Sequence, residues 1–227
     1  MTESFAYLPY WRRLTAVLLA TGLAACASSR SGPAIGAMGP EAAKAKARAD
    51  SVRWPYTEAD IRFMSTMIHH HAQAIVMAKW APTHDASPAV LRLTQRIINA
   101  QNDEIAMMSR WLADRNKPVP DPNPAGQVMQ MGGMTHTMLM PGMLTEDQMK
   151  QLDSARGPEF DRLFLTFMIQ HHRGAVQMVQ ELLAQRGAAN DETVFKFAAD
   201  VNVDQTTEIN RMLEMLLVAP ESRPPSP

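Results

Sequence analysis

Two stretches of the chain repeat nearly the same arrangement of histidine and methionine. Residues 60–77 read DIRFMSTMIHHHAQAIVM, and residues 161–178 read DRLFLTFMIQHHRGAVQM. The stretches align without a gap, and each contains an adjacent histidine pair: His70 and His71 in the first, His171 and His172 in the second. Imidazole and thioether groups are both good ligands for soft, late transition metals. The repeat therefore predicts a metal site, and copper is the metal that it favours.

Methionines flank both histidine pairs at helical spacing. They are Met67 and Met77 in the first stretch, and Met168 and Met178 in the second. Side chains three or four positions apart share one face of a helix, so Met67 and Met168 can each bind an ion together with a histidine of the same stretch. The alternative is that these methionines fill the core and that the histidines are hydrogen-bonded core residues. Two matching pairs favour the metal interpretation.

A third histidine, His69, directly precedes the first pair. Helical geometry turns it about 100° away from His70, and its counterpart in the second stretch is Gln170. We therefore expect His69 to point outward and to bind no metal.

A second pair of segments also matches between the two halves. Gln101 and Glu104 in the first half correspond to Gln205 and Glu208 in the second. The glutamines interrupt otherwise apolar helix faces, and a buried amide costs free energy unless it is hydrogen-bonded. We expect the glutamines to bond the histidine rings, and all four residues to support the metal ligands from behind by fixing the ring tautomers.

The segment between the two halves, residues 115–144, is rich in methionine. Between Met129 and Met143 it contains six methionines and one histidine, and it has neither helical nor strand periodicity. Thioether clusters can bind Cu(I) where thiols are oxidised. A hydrophobic loop over the body of the protein, or a methionine-rich contact surface, is the alternative. The candidate ligands in this segment are Met131, Met134, His136 and Met138.

Four long helical patterns position these residues. The third pattern is broken at Gly157-Pro158. Each half forms a helical hairpin, and two hairpins can bury their apolar faces against each other. The sequence thus predicts an all-α fold, a four-helix bundle built from a duplicated hairpin. Its parts are repeat one (56–114), the methionine-rich loop (115–144) and repeat two (145–218).

The ends of the chain predict export and attachment to a membrane. Residues 1–26 run from charged to apolar and end in Leu-Ala-Ala-Cys, the order of a secretory signal. Cys26 stands where a bacterial lipobox places its lipidated cysteine, and a plain signal peptide is the alternative. We therefore expect a lipid-anchored periplasmic protein, at the outer membrane. Residues 27–55 are predicted to be a flexible tether, and residues 219–227 a disordered tail.

Composition excludes several classes of protein. The net charge is −1 over 227 residues, and no basic stripe is present, so a nucleic-acid partner is not expected. A single cysteine excludes internal disulfides and thiolate metal clusters. No phosphate-binding loop, dinucleotide fingerprint or Ser/His/Asp arrangement is present, so hydrolase and nucleotide chemistry lack support.

The repeated Met-Ile-x-His-His motif, with the later Gln-x-x-Glu-Ile, resembles the domain of unknown function 305 (DUF305) family. The resemblance extends over about residues 56–217. It implies a ferritin-like four-helix bundle in a secreted or periplasmic protein, with a link to copper in some members. By position it implicates the two histidine pairs and the four methionines that flank them.

These observations favour a cell-envelope protein that binds copper, as Cu(I) or Cu(II), and either sequesters it or passes it to a delivery partner. A homo-oligomer is also compatible with the sequence. Two alternatives stay open. One is a ferritin-like metal-dependent oxidase; iron fits less well, because the Glu-x-x-His pairs of di-iron sites are missing at Glu104 and Glu208. The other is an interaction module that binds no metal.

Overall fold

Four long helices form the body of the protein in the computed structural model, which describes residues 39–218. Two shorter helices and one two-stranded hairpin accompany them in this range. The elements are α1 (Pro40–Arg53), α2 (Glu58–Trp80), α3 (Pro88–Asp114), β1 (Gln127–Met131), β2 (Met134–Met138), α4 (Glu146–Ser154), α5 (Gly157–Leu183) and α6 (Glu192–Val218).

The long helices pack as two hairpins that meet along one helix each. Helix α2 packs on α3, α5 packs on α6, and the two hairpins contact each other mainly through α2 and α5. The expected all-α, ferritin-like bundle is confirmed. Because α2 and α5 carry the repeated histidine pairs, this arrangement places both pairs at the junction of the two halves.

The aspartate that opens each repeated stretch joins one hairpin to the other. Asp60 accepts a hydrogen bond from the backbone N–H of Ala189, in the connection between α5 and α6, at 2.7 Å. Asp161 accepts from the N–H of Ser87, which caps the start of α3, at 3.1 Å. Each repeat thus secures the turn of the opposite hairpin, which explains why both copies begin with this residue.

The core consists of two apolar halves. One half contains Phe63 from α2 and Phe197 from α6, and the other contains Ile97 from α3 and Phe164 from α5. At the level between the two apolar halves, all four long helices carry polar side chains. The side chains at this level are His70, His71, Gln101, Glu104, His171, His172, Gln205 and Glu208, and we call them the polar layer.

The connection between the two halves contains a β-hairpin. Strands β1 and β2 pair antiparallel, with Met129 opposite His136 and Gln127 opposite Met138. The two residues of the turn, Gly132 and Gly133, have φ of +60° and +78°. Only glycine adopts these angles readily, and two-residue hairpins require them. Our expectation that this segment would lack strand was therefore wrong, and the Gly-Gly pair was the missed signal.

Residues 40–53, within the predicted tether, are helical. Helix α1 is nearly devoid of an apolar face, and Ala47 is its one buried residue. Cys26, the rest of the predicted signal and tether up to residue 38, and the predicted tail lie outside the described residues. Within residues 39–218, no helix combines the length and apolarity that crossing a bilayer requires.

Candidate metal centre

The two repeated histidine pairs meet in the middle of the bundle. All four imidazole side chains are fully buried. The rings of His70 and His171, one from each half, lie 3.9 Å apart between centroids. The centroids of the two rings within a pair are 6.4 Å apart in α2 and 6.3 Å apart in α5. The structure therefore brings together the four histidines that the sequence singled out.

Two of these rings have one nitrogen fixed by a hydrogen-bond acceptor. Nε2 of His70 lies 3.0 Å from the carbonyl oxygen of Pro141, and Nε2 of His172 lies 2.7 Å from a carboxylate oxygen of Glu208. Because a carbonyl and a carboxylate only accept, Nε2 carries the proton in both rings. The lone pair is then on Nδ1, which is the arrangement found in histidines that bind metal.

In the other half, His71 and Glu104 form the contact that corresponds to that of His172 with Glu208. Nε2 of His71 and a carboxylate oxygen of Glu104 lie 2.7 Å apart. This contact does not have the geometry of a hydrogen bond, unlike the one between His172 and Glu208. The two carboxylates, each about one-fifth exposed, connect the buried rings to the solvent side of the bundle.

Most ring nitrogens of the polar layer make no hydrogen bond to the part of the chain that the structure describes. Six of the eight nitrogens in the four rings lack a hydrogen bond to any residue that the structure describes. A buried polar atom left without a partner costs about 1–3 kcal/mol. The cost of leaving six such atoms unpaired would be large for one small domain. Each of the four rings, when neutral, has one lone pair, which is the donor that imidazole offers to a soft metal ion.

Burial keeps the central rings neutral. Loss of hydration and the nearby His71 lower the pKa of His70 to about 3. The pKa of His171 is likewise held well below 6.5, first by burial and then by His70 and His172. A neutral imidazole is the form that binds metal, so these two rings need not lose a proton first at neutral pH.

The two glutamines of the layer do not bond the histidines. The side-chain oxygens of Gln101 and Gln205 are buried, and neither accepts a hydrogen bond from a described residue. Our expectation that these amides would fix the ring tautomers is therefore wrong. The histidines project toward the carboxylates one turn further along α3 and α6, and toward the backbone of Pro141.

The four methionines that flank the pairs are buried in the apolar halves. Met67 and Met178 lie in one half of the core, and Met77 and Met168 lie in the other. This burial agrees with the packing role that we held open as an alternative. Across residues 39–218, no three His, Cys, Asp or Glu side chains converge on one point as metal ligands.

His69 is buried, contrary to our expectation that it would point outward. Its side chain is 7% exposed, and its Nδ1 accepts a hydrogen bond from the backbone N–H of Asn123 at 3.2 Å. The connection between the halves crosses α2 here and covers this ring. Sequence periodicity could not anticipate a covering segment that comes from another part of the chain.

The same connection covers the polar layer. Gly142 has a φ of +76°, and a Cβ added to Gly174 would lie 1.9 Å from the carbonyl oxygen of Pro141. Gln73 donates to the carbonyl of Leu144 and accepts from its N–H. These contacts press residues 141–144 onto α2 and α5. Sequence reasoning missed this role for Pro141, although the small residue after His172-Arg173 was a signal for close backbone approach.

Acidic side chains lie near the two glutamates that contact the histidines. Partial burial, followed by the charge of Glu104 and then of Asp200 and Glu208, raises the pKa of Asp204. Negative potential on this side of the bundle would attract cations. The sequence analysis did not single out Asp204.

The candidates of the methionine-rich loop lie on the hairpin, a separate element from the polar layer. Met134, His136 and Met138 are on β2, and Met131 is the last residue of β1. Met140 and Met143, further along, are buried in the core. The loop thus divides into an exposed methionine-bearing hairpin and a covering segment. The alternative of a hydrophobic loop over the body of the protein applies to the covering segment.

The class of this protein is defined by its fold and by one feature of its core. The fold is a ferritin-like bundle, and a layer of paired histidines and glutamates divides the core. The sequence profile of the family described as "Domain of unknown function (DUF305)" matches residues 60–216. The chain belongs to the DUF305 family. No curated protein matches the chain.

Several solved structures are similar to this chain. A DUF305 protein from Streptomyces coelicolor is 29% identical with a TM-score of 0.58, and the match covers 70% of this chain and 91% of that one. A DUF305 fragment from Deinococcus radiodurans is 26% identical with a TM-score of 0.57, covering 71% and 97%. CopM in its Cu(I)-bound form is 28% identical with a TM-score of 0.53, covering 70% and 95%. CopM has also been solved in a Cu(II)-bound form.

Proposed function

We propose that this protein binds copper in the polar layer of its bundle, in the cell envelope, and there sequesters the metal or passes it on. One observation carries the proposal: four fully buried imidazoles from the two halves meet, and six of their eight nitrogens make no hydrogen bond to a described residue. The Cu(I)-bound and Cu(II)-bound forms of CopM support copper as the metal. Envelope attachment rests on the resemblance of the segment before Cys26 to a lipobox.

Each side chain of the polar layer would have its own role in copper binding. His70 and His172 present Nδ1 as the ligand atom, held in that tautomer by Pro141 and Glu208. The remaining histidine of each pair, His71 or His171, supplies a further imidazole nitrogen. Met67 and Met168, one turn before the pairs, would supply thioether sulfur to a Cu(I) site. The glutamates offer oxygen to the entering ion and balance its charge.

Loss of the four imidazoles tests the proposal. We would replace His70, His71, His171 and His172 together by glutamine, and measure copper stoichiometry and affinity in the purified mature protein. Glutamine keeps the layer polar, and helical circular dichroism checks the fold. We expect the variant to lose the tight copper ion that the wild type retains, because its nitrogen ligands are gone.

His69→Gln is the matched control. His69 lies next to the first pair and is also buried, and the second repeat has glutamine at this position. We expect this variant to bind copper as the wild type does. Wild-type copper affinity in the fourfold variant would refute the proposal. Iron uptake in preference to copper would support the oxidase alternative, and no metal uptake at all would support an interaction module.

A further inference from the structure

We propose that one face of the β1–β2 hairpin is a second metal site, specific for a soft monovalent cation such as Cu(I) or Ag(I). Its ligands are Met129, Met134, His136 and Met138. The site is built from the chain segment that the polar layer does not use, and it does not depend on the histidine layer.

Strand register places these side chains on the same face. Met129 is directly opposite His136, and residues directly opposite in an antiparallel pair project to one side, with Cβ atoms about 4.5–5.5 Å apart. Met134 and Met138 are each two positions from His136 along β2, so they share that side. Diagonal neighbours about 7–8 Å apart remain within reach of side chains as long as methionine. The hairpin thus gathers three thioethers around one imidazole.

The opposite face has a different composition. Val128, Gln130, Thr135 and Thr137 occupy the alternate positions, and Gln130 donates a hydrogen bond to the hydroxyl of Thr135 at 2.8 Å. Methionine is confined to one face of the hairpin. The hairpin therefore has a sulfur face and a hydroxyl and amide face, which provides an internal control.

The β2 part of the sulfur face is exposed to solvent, and Met129 on β1 is half-buried. Met134 is 64% exposed and Met138 is 48% exposed. In the part of the chain that the structure describes, the His136 side chain forms no hydrogen bond. Buried methionine is explained by packing, but exposed methionine gains nothing from it. Met140 and Met143, in the same connection, show the contrast, because both are buried in the core.

The chemistry of the face selects the class of ion. Residues 127–138 contain no aspartate, glutamate, lysine or arginine, and His136 is their one titratable side chain. Hard divalent cations require several oxygen ligands, usually carboxylates. Neutral thioethers and an imidazole instead suit Cu(I) and its analogue Ag(I). An exposed, uncharged site of this kind can exchange its ion with a partner more readily than a site buried in the core.

Silver titration of the full chain, followed residue by residue, tests this proposal. Ag(I) is stable in air, and the methyl resonances of methionine report its binding to sulfur. We expect Ag(I) to shift the methyl signals of Met129, Met134 and Met138 together. The triple variant Met129→Leu, Met134→Leu, Met138→Leu should bind this ion at least ten times more weakly, with an unchanged circular dichroism spectrum.

Two further variants make the result decisive. Thr135→Val with Thr137→Val alters the hydroxyl face, and we expect it to leave Ag(I) binding at the hairpin unchanged. The fourfold histidine-to-glutamine variant should also keep the hairpin site, which separates this proposal from the proposed function. Methyl signals of the three methionines that do not respond to Ag(I), or equal losses in the leucine and valine variants, would overturn it.

Discussion

At the scale of single residues, the protein keeps imidazoles neutral by burying them. His70 and His171 titrate far below the ordinary pKa of 6.5, because the interior disfavours their charged form and each has other histidines nearby. Hydrogen bonds to Pro141 and Glu208 then decide which nitrogen of His70 and His172 is free. In the proposed copper site, burial and the hydrogen-bond acceptors would prepare these rings as ligands before any metal arrives.

The low pKa of His70 makes the metal-free protein sensitive to acid. In the unfolded chain this ring takes up a proton below about pH 6.5, whereas in the folded protein it does so only near pH 3. The unfolded state therefore binds more protons in between, and stability falls as the pH falls. We expect His70 alone to lower the free energy of unfolding by about 1.4 kcal/mol per pH unit from pH 6 to pH 4. Urea unfolding of metal-free wild type and His70→Gln would measure this; equal slopes in both proteins would contradict it.

The carboxylate of Glu208 holds the His172 ring in its tautomer, so its removal should weaken copper binding. We expect Glu208→Gln to reduce copper affinity about 10–100-fold, the usual effect of losing a partner behind a metal ligand. Competition with a chelator of known affinity would measure it. Glu214→Gln, on an exposed site of the same helix, is the control and should bind copper normally. Equal affinities in the two variants would remove Glu208 from the site.

At the scale of elements, residues 141–144 cover the polar layer. They lie so close to α5 that no Cβ fits at Gly174. The helical spacing of apolar residues predicted the bundle helices, and the Gly157-Pro158 pair predicted the break, because both signals lie in the local sequence. Local sequence could not predict that the connection covers His69, or that Pro141 contacts His70, because these contacts join residues 54 and 71 positions apart.

Alanine at Gly174 should disturb this cover. In an isolated helix the change would be stabilising by up to about 1 kcal/mol. Here the new methyl group meets the backbone of Pro141 and Gly142, so we expect a net loss of about 1–3 kcal/mol in the free energy of unfolding. Urea denaturation would measure it, with Gln180→Ala, exposed on the same helix, as a control that stays within about 0.5 kcal/mol of wild type. A Gly174→Ala protein as stable as the control would show that the segment does not pack as described.

At the scale of the whole molecule, duplicated hairpins place equivalent residues at one junction. The repeat in the sequence was sufficient to predict the fold and the meeting of His70 with His171. One tie at the ends of the helices was not predictable from it, because Asp191 and its partners lie outside the repeated motif. Asp191 accepts hydrogen bonds from Trp111 and Arg115 at the end of α3 and from backbone N–H groups at the start of α6.

Asp191→Asn should therefore destabilise the entire bundle. The change leaves the guanidinium of Arg115, which is 6% exposed, without its charged partner. Breaking a buried ion pair from one side costs about 3–5 kcal/mol, and a single cooperative transition at lower denaturant concentration is expected. Asp200→Asn, an exposed change on the same helix, should have little effect. Separate transitions for the two hairpins, or a loss no larger than that of the control, would contradict this account.

Copper binding between the two halves can be tested directly by crystallography. Anomalous diffraction data collected at the copper absorption edge, from crystals of the copper-loaded mature protein, would locate the ion without any assumption about its ligands. We expect a peak between α2 and α5, within bonding distance of ring nitrogens from both His70-His71 and His171-His172. Copper found only outside the bundle, with the four rings metal-free, would contradict the account.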